Sequence, residues 1–188
     1  VLGDSATCSF SADTEAATRA WGALAAGEPG AAHTAIAWSG KGVFRNCCGD
    51  SSELMPVLFE LQDPNDPTSV WSFDYAPDVV VIGLGTNDFS GGDPGASFVD
   101  AYAAFVAQIR GHYPDAWLIL ASSPMLEGNS HVQHLGYLGT VASSAGDRVR
   151  VLDLATQLAS DGYGCDYHPN EITQQKMADA LVGLIHEL

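Results

Sequence analysis

The sequence predicts an α/β fold in which a five-stranded parallel sheet is covered by helices on both faces, giving a three-layer sandwich. Short apolar runs alternate with amphipathic or alanine-rich stretches along the chain, as strands and helices do in such folds. The run 79–82 is wholly β-branched, which is typical of a strand buried on both faces. With 188 residues and 46% hydrophobic content, the chain can bury one substantial core. We therefore predict a single domain over residues 1–188.

The individual elements follow from the same patterns. Apolar runs predict strands that end at Leu2 and that span 34–38, 78–84, 117–121 and 149–154. Composition and helical spacing predict helices over 14–26, 52–61, 96–113, 131–144 and 172–188. Gly27 and Pro29 should end the first helix, and Ser51 or Ser52 should cap the second. The segment 63–67, rich in proline and acids, predicts a turn.

Composition narrows the range of partners. Seven Lys and Arg residues against 23 Asp and Glu residues give a formal net charge of −16. Such a surface repels nucleic acid and anionic membranes and is compatible with neutral sugars. No stretch approaches the roughly 18 apolar residues of a membrane helix. The chain opens abruptly at Val1, whereas a parallel sheet normally reaches Gly3 through a longer strand, so we expect residues or another module upstream.

The four cysteines are Cys8, Cys47, Cys48 and Cys165, which allow three pairings. No C-x-x-C spacing occurs and the adjacent pair would make awkward zinc ligands, so we expect no metal. We predict two disulfides, in which Cys8 and Cys165 each pair with one of the adjacent cysteines or with each other. Buried free thiols are the alternative. Together with few lysines and many small residues, the cysteines favour secretion.

Four segments carry the candidate chemistry: Gly3–Asp4–Ser5, 38–42, 85–88 and 166–169. They follow the first, second, third and fifth predicted strands. Because sites in open parallel sheets form beyond the carboxyl ends of the strands, all four should meet at one edge. The sequence therefore predicts one site built from loops that are distant in the chain.

Ser5 and His168 are the candidate nucleophile and general base, since a serine hydroxyl becomes nucleophilic when an imidazole takes its proton. N-capping of a helix is the alternative role for Ser5. Among the other five histidines, His131 and His134 are three apart on a helix and resemble a pair of metal ligands. Because no carboxylate or cysteine of obvious spacing joins them, we interpret them as part of a solvated helix face.

Further roles are expected around this pair. Asp166 can orient the imidazole, and an equal alternative is that it is an exposed loop acid or a turn-former. The Asn87 amide and the Gly40 backbone N–H can donate to an oxyanion, while simple turn chemistry is the alternative for Gly40. Three aromatic residues flank these groups and can stack on a sugar ring: Trp38, Phe89 and Tyr167. Core packing is an equal alternative for Trp38 and a lesser one for Tyr167. No dinucleotide fingerprint and no G-x-S-x-G elbow occur, so we expect no cofactor and no common α/β-hydrolase arrangement.

On these motifs the chain resembles the SGNH (GDSL-type) hydrolases. Gly3–Asp4–Ser5 resembles the first block of that family, 39–40 the second, 85–88 the third and 168–169 the last. The resemblance implies a flavodoxin-like sheet, no metal and acyl transfer through a serine ester. It assigns Ser5 as nucleophile and His168 as base, with an oxyanion hole formed by the Ser5 and Gly40 amides and the Asn87 side chain.

A finer resemblance is to carbohydrate esterase family 2, carried by the segments 39–42, 85–89 and 166–169. It implies removal of acetyl groups from plant polysaccharides and a β-sandwich domain ahead of the hydrolase domain. Most SGNH enzymes place the triad aspartate three residues before the histidine, where this chain has Cys165. Some family 2 members use a serine–histidine dyad with a backbone carbonyl orienting the imidazole, so either Asp166 or such a carbonyl can serve.

The predicted function is therefore a secreted serine esterase acting on acetylated oligo- or polysaccharides such as acetyl xylan or glucomannan. A GDSL-type lipase or lysophospholipase is one alternative. A non-catalytic carbohydrate-binding module is an alternative of another class.

Overall fold

The computed structural model describes residues 2–3, 16–28, 30–164 and 167–188. In this part of the chain, strands and α-helices alternate. The strands are β1 (Leu2–Gly3), β2 (Ile36–Ala37), β3 (Val79–Gly83), β4 (Trp117–Ala121) and β5 (Val149–Leu152). The helices are α1 (Trp21–Gly27), α2 (Met55–Leu58), α3 (Ala96–His112), α4 (Gly128–Ser144) and α5 (Glu171–Ile185). None of these helices is both long and apolar enough to cross a membrane.

All the strands run parallel in the order β2-β1-β3-β4-β5. Leu2 pairs with Ile36 on one side and with Ile82 on the other, which places β1 between β2 and β3. The prediction of an α/β fold with a parallel sheet is confirmed. The direction of the strand order reverses between β1 and β3, so the loop that leaves β3 lies at the switch point, where ligands bind in such sheets.

Alternate residues of the central strands belong to two different apolar clusters, because successive side chains of a strand point to opposite faces. Val80 and Ile82 belong to the cluster that contains the buried apolar residues of α3 and α4. Val81 and Ile119 belong to the cluster that contains the buried apolar residues of α1 and α5, among them Trp21 and Leu181. Both faces of the sheet are therefore packed under helices.

The boundaries of two predicted helices are wrong. Residues 14–15 of the helix expected over 14–26 lie outside the described residues. From residue 16 onward the α-helix begins only at Trp21, because Ala20 is extended (φ −68°, ψ 144°) and separates α1 from a short 3-10 turn. The helix expected over 52–61 is only the single turn α2, entered from Leu54 without a side-chain cap. Ser52 donates instead to Asp50, and the positive φ of Glu53 (48°) interrupts any earlier helical turn.

A cavity of about 380 Å³ lies at the end of the sheet where β3 begins. Thr34 lines it just before β2, and 79–81 line it on β3. Residues of α1 and α5 line it as well, as do Phe59 and Tyr113 of the other face. The cavity therefore lies between the segment that leads into β2 and the first residues of β3.

Candidate active site

The structure describes part of the predicted site. Gly40, Asn87 and His168 are among the described residues, and their surroundings follow below. The predicted contact between the Ser5 hydroxyl and the His168 imidazole stays a prediction, as do the roles predicted for Asp166, Cys8 and Cys165. Outside the described residues lie Ser5, Asp166, Cys8 and Cys165.

The loops that follow β2 and β3 meet at Asn87. Its amide Nδ2 donates to the backbone carbonyl of Lys41 at 2.9 Å, which fixes the orientation of the side chain. Gly40 precedes Lys41 and has a φ of +79°, in the left-handed region that favours glycine. The Gly40 carbonyl accepts from Cys47 N at 2.8 Å. Two of the three predicted oxyanion donors therefore come from segments that are in direct contact.

Asp88 holds the loop after β2 in place. Its buried carboxylate accepts hydrogen bonds from the backbone N–H groups of Phe44 (2.7 Å), Arg45 (3.0 Å) and Val43 (3.2 Å). The Arg45 side chain donates back from Nε to the Asp88 carbonyl at 2.5 Å. Burial raises the pKa of Asp88, and the three backbone donors oppose that shift. A buried acid adjacent to Asn87 thus fixes residues 40–46, which we call the oxyanion-side loop.

The oxyanion-side loop is also wound tightly on itself. Asn46 is buried, and its Oδ1 accepts from Gly42 N at 3.1 Å while its Nδ2 donates to the Ser52 carbonyl at 2.6 Å. A Cβ on Gly42 would lie 2.0 Å from the Arg45 carbonyl oxygen and 2.8 Å from the Asp88 carboxylate. Position 42 therefore accepts only glycine in this conformation.

His134 supports the turn that presents Asn87, and the prediction of a solvated helix face is wrong for it. The ring is fully buried, its Nε2 donates to the Leu84 carbonyl at 3.1 Å, and its Nδ1 accepts from Ser123 N at 3.4 Å. A Cβ on Gly85, which has a φ of +129°, would lie 2.3 Å from Nε2. Burial lowers the pKa of His134 to about 4, so the ring is neutral near pH 7.

His131 has a different partner, on the loop after β5. Its Nε2 lies 3.0 Å from Asp153 Oδ1, so a carboxylate does join one of the two histidines, contrary to the sequence-based expectation. Ser122 Oγ lies 3.4 Å from the same carboxylate oxygen. No cluster of three or more metal-ligating side chains occurs within the described ranges.

Three consecutive backbone carbonyls around His168 each accept a hydrogen bond from a different residue. The Tyr167 carbonyl accepts from Gln157 Nε2 at 2.7 Å, and the His168 carbonyl accepts from Gly164 N at 2.7 Å. The Pro169 carbonyl accepts from Gln174 Nε2 at 3.2 Å. We call this segment, described over 163–164 and 167–170, the base loop.

The base loop reaches the segment that carries Asn87. Thr86 and Pro169, the neighbours of Asn87 and His168, line one cavity of about 30 Å³. Ser123 lines the same cavity, and its Oγ accepts from the Thr86 hydroxyl at 2.7 Å. The structure therefore brings the second, third and fourth sequence segments to one edge of the sheet.

The three aromatic candidates have different surroundings. Tyr167 is 70% exposed and Trp38 is 37% exposed, so both rings are accessible to a ligand. Phe89 is only 7% exposed, and its ring packs edge-on against Phe98 with centroids 5.9 Å apart. The substrate-stacking role predicted for Phe89 is wrong, because the turn between Gly85 and Phe89 directs the ring into the core. Tyr163, which the sequence reasoning missed, lies 5.3 Å from Tyr167 between ring centroids.

Cys47 and Cys48 are exposed at the end of the oxyanion-side loop, and their Sγ atoms are 3.1 Å apart. Because their predicted partners lie outside the described residues, the disulfide pairing stays a prediction.

Sequence reasoning also missed the residues that hold the site in place. Asp88 was visible only as the end of the third segment, although an acid in the turn that follows a buried apolar strand was a usable signal. His134, Asn46 and Gln157 gave no signal, because their partners are 10 to 50 residues away in the chain or depend on loop geometry.

The comparisons with known proteins agree with these segments. The model of the GDSL-like Lipase/Acylhydrolase family matches residues 1–176. The cellulase/esterase CelE of Acetivibrio thermocellus is 34% identical over 201 residues, covering 98% of this chain and 25% of that protein. An acetylxylan esterase / glucomannan deacetylase of Cellvibrio japonicus is 28% identical over 202 residues, covering 100% of this chain and 56% of that protein.

One solved structure is similar over nearly the whole chain. It is a family two carbohydrate esterase from Clostridium thermocellum in complex with cellohexaose, with a TM-score of 0.92 and 34% identity. The match covers 99% of this chain and 62% of that chain. The chain thus spans between a quarter and about three fifths of the length of these relatives.

Proposed function

Because the chain belongs to the GDSL-like lipase/acylhydrolase family, as a homologue of the family two carbohydrate esterases, we propose that it is a serine esterase of acetylated polysaccharides. Its substrates are O-acetyl groups on plant cell-wall polymers such as acetyl xylan or glucomannan. The observation that carries the proposal is the contact between Asn87 and the oxyanion-side loop at the edge of the sheet that also holds the base loop. The similarity to the acetylxylan esterase / glucomannan deacetylase of Cellvibrio japonicus supports the substrate class.

The reaction proceeds in two half-reactions. Ser5 Oγ attacks the acetyl carbonyl carbon while His168 takes the hydroxyl proton, and the carbonyl π electrons move onto oxygen. The Ser5 and Gly40 amides and the Asn87 amide stabilise that oxyanion. The intermediate collapses, the bond to the sugar oxygen breaks, and His168 gives its proton to that oxygen. Water then attacks the acetyl-serine in the same manner and releases acetate. Asp166 or a backbone carbonyl orients the imidazole.

The test is acetate release from acetylated xylan and glucomannan. Ser5→Ala and His168→Ala should each abolish release, and Asn87→Ala should lower kcat by about 10²–10³-fold because one oxyanion donor is lost. Ser143→Ala is the matched control, since the Ser143 hydroxyl donates to the Gly139 carbonyl on α4 and has no other hydrogen-bond partner among the described residues. Retention of most activity in Ser5→Ala would defeat the assignment.

Two rival functions are separated by two further measurements. A lipase or lysophospholipase would prefer nitrophenyl octanoate to nitrophenyl acetate, whereas the proposed esterase prefers the acetate. A sugar-binding module is favoured by the cellohexaose in the related structure. A pure binder would not be labelled by a serine-directed fluorophosphonate, whereas the esterase is labelled at Ser5.

We also infer that these residues form the hydrolase domain of a longer protein, with the doubly wound, flavodoxin-like arrangement that the strand order supports. The cavity between the segment that leads into β2 and the start of β3 supports an apolar strand segment upstream of Val1. The lengths of the relatives support a further domain before it, a β-sandwich in this proposal. Adding four Val- and Ile-rich residues before Val1 should raise Tm by several degrees. Four Gly and Ser residues serve as the control, and an equal Tm for both would contradict the inference.

Secretion and two disulfides complete the proposal, with Cys8 and Cys165 as the partners of Cys47 and Cys48 or of each other. Thiol titration of the denatured, unreduced protein should find no free thiol, and four free thiols would refute the pairing.

A further inference from the structure

The residue before His168 is held in an unfavourable backbone conformation. Tyr167 has a φ of +62°, which costs a non-glycine residue about 1 kcal/mol or more. Its ring is 70% exposed, so core packing of the side chain does not compensate for that cost. The hydrogen bonds of the backbone must therefore hold the peptide between Tyr167 and His168.

Gln157 supplies the hydrogen bond to this peptide. The residue lies on the loop after β5, is 7% exposed, and donates from Nε2 to the Tyr167 carbonyl at 2.7 Å. Its own backbone N–H donates to the Pro124 carbonyl at 2.9 Å, which ties it to the loop after β4. The loops after β4 and β5 therefore hold Gln157 in place, and its side-chain amide donates to the peptide that joins Tyr167 to His168.

The other end of the same side chain is costly to bury. Gln157 Oε1 is inaccessible to solvent and has no hydrogen-bond partner among the described residues. Such an orphaned acceptor costs about 1–3 kcal/mol, which a methionine of similar length would avoid. Exchanging the amide nitrogen and oxygen would not help, because an oxygen would then face the Tyr167 carbonyl oxygen. The donor is thus the property that this position provides.

We propose that Gln157 is a positioning residue for catalysis: by fixing the Tyr167 carbonyl, it sets the orientation of the His168 imidazole toward the nucleophile. The inference rests on the proposed esterase function, in which His168 is the base. It assigns Gln157 no contact with substrate. Loss of the donor lets the peptide rotate and displaces the ring, and misplacement by about 1 Å costs about 10²-fold in rate.

The experiment compares Gln157→Met with Gln108→Met. Gln108 on α3 donates to the Pro56 carbonyl at 3.0 Å, the same kind of bond on the other side of the fold. Gln157→Met should lower kcat for acetate release by about 10–100-fold with KM within about threefold, and should displace the pH profile of kcat/KM. Gln108→Met should leave all three unchanged. An active wild type with equal kcat in Gln157→Met would overturn the proposal.

A second variant keeps the proposal testable if Gln157→Met does not fold, and a second measurement keeps it testable if the wild type is inactive. Gln157→Glu keeps the shape but replaces the donor by an acceptor, so it should lose more activity than Gln157→Met. The ¹⁵N chemical shifts of the His168 imidazole should change in both variants but not in Gln108→Met, and this readout needs no turnover. If the wild type releases no acetate, the esterase proposal fails, while unchanged imidazole shifts in folded Gln157 variants would refute the positioning role itself.

Discussion

The two loops that bring the candidate site together are held in different ways. The oxyanion-side loop is fixed by one buried carboxylate, Asp88, which accepts three consecutive backbone N–H groups. The base loop is fixed by single bonds from separate donors, among them Gln157 and Gln174, around a residue at positive φ. Loss of the Asp88 carboxylate should therefore disrupt the whole oxyanion-side loop. In the base loop, by contrast, each hydrogen bond can be removed separately.

The largest effect is expected at Asp88. Asp88→Ala leaves three N–H groups without an acceptor and should lower the free energy of unfolding by about 3–6 kcal/mol, with loss of acetate release. Urea titration measures the first quantity. Asp93→Ala is the control, because that exposed carboxylate also accepts a backbone N–H, from Gly95 at 2.9 Å, outside the oxyanion-side loop. Similar losses in the two variants would contradict the special role of Asp88.

A smaller effect is expected at the turn that His134 supports. Gly85→Ala combines a φ of +129° with a Cβ 2.3 Å from the buried imidazole, so it should destabilise the protein by about 2–5 kcal/mol. Gly139→Ala adds a Cβ in α4 with no heavy atom within 4 Å and should stabilise by about 0.5–1 kcal/mol. Thermal unfolding of both variants checks the difference in sign.

The buried His134 imidazole should also make the stability of the protein depend on pH. The pKa of His134 is about 4 in the folded protein and 6.5 in the unfolded chain. Between pH 6.5 and 4, therefore, only the unfolded chain binds this proton. Stability from this group is complete above pH 6.5 and falls by about 3 kcal/mol as the pH drops to 4. Urea unfolding from pH 7.5 to 4 should be less pH-dependent in His134→Gln. Parallel curves for the two proteins would argue against a buried neutral ring.

The smallest effects are expected on the base loop at Tyr167. Tyr167→Gly relieves the positive φ and should raise stability by about 1 kcal/mol relative to Tyr167→Ala, which keeps the strain. Both variants lose the exposed ring, so both should raise KM for an acetylated oligosaccharide by about fivefold, equivalent to about 1 kcal/mol of binding. An unchanged KM would remove Tyr167 from the substrate contacts.

The sequence predicted the central sheet better than its surroundings. Trp117–Ala121 was predicted to the residue, and α3 and β3 to within one residue at each end, because continuous apolar runs and helical spacing are local signals. The helices α1 and α2 were predicted too long, since Ala20 and Glu53 adopt non-helical conformations that their local sequence does not indicate. Phe89 was assigned to the substrate from its place beside Asn87, although a tight turn reverses the direction of its ring.

By itself, the sequence determined the order of strands and helices and the spacing of the four site segments, because periodicity and turn residues act over a few positions. It also predicted that these segments meet at one sheet edge, which the structure shows for the second, third and fourth. Tertiary structure alone decided which polar groups became buried supports. Asp88, His134 and Gln157 find their partners across loops and layers of the fold. Burial makes those hydrogen bonds obligatory, and burial is a property of the packed layers rather than of any short segment.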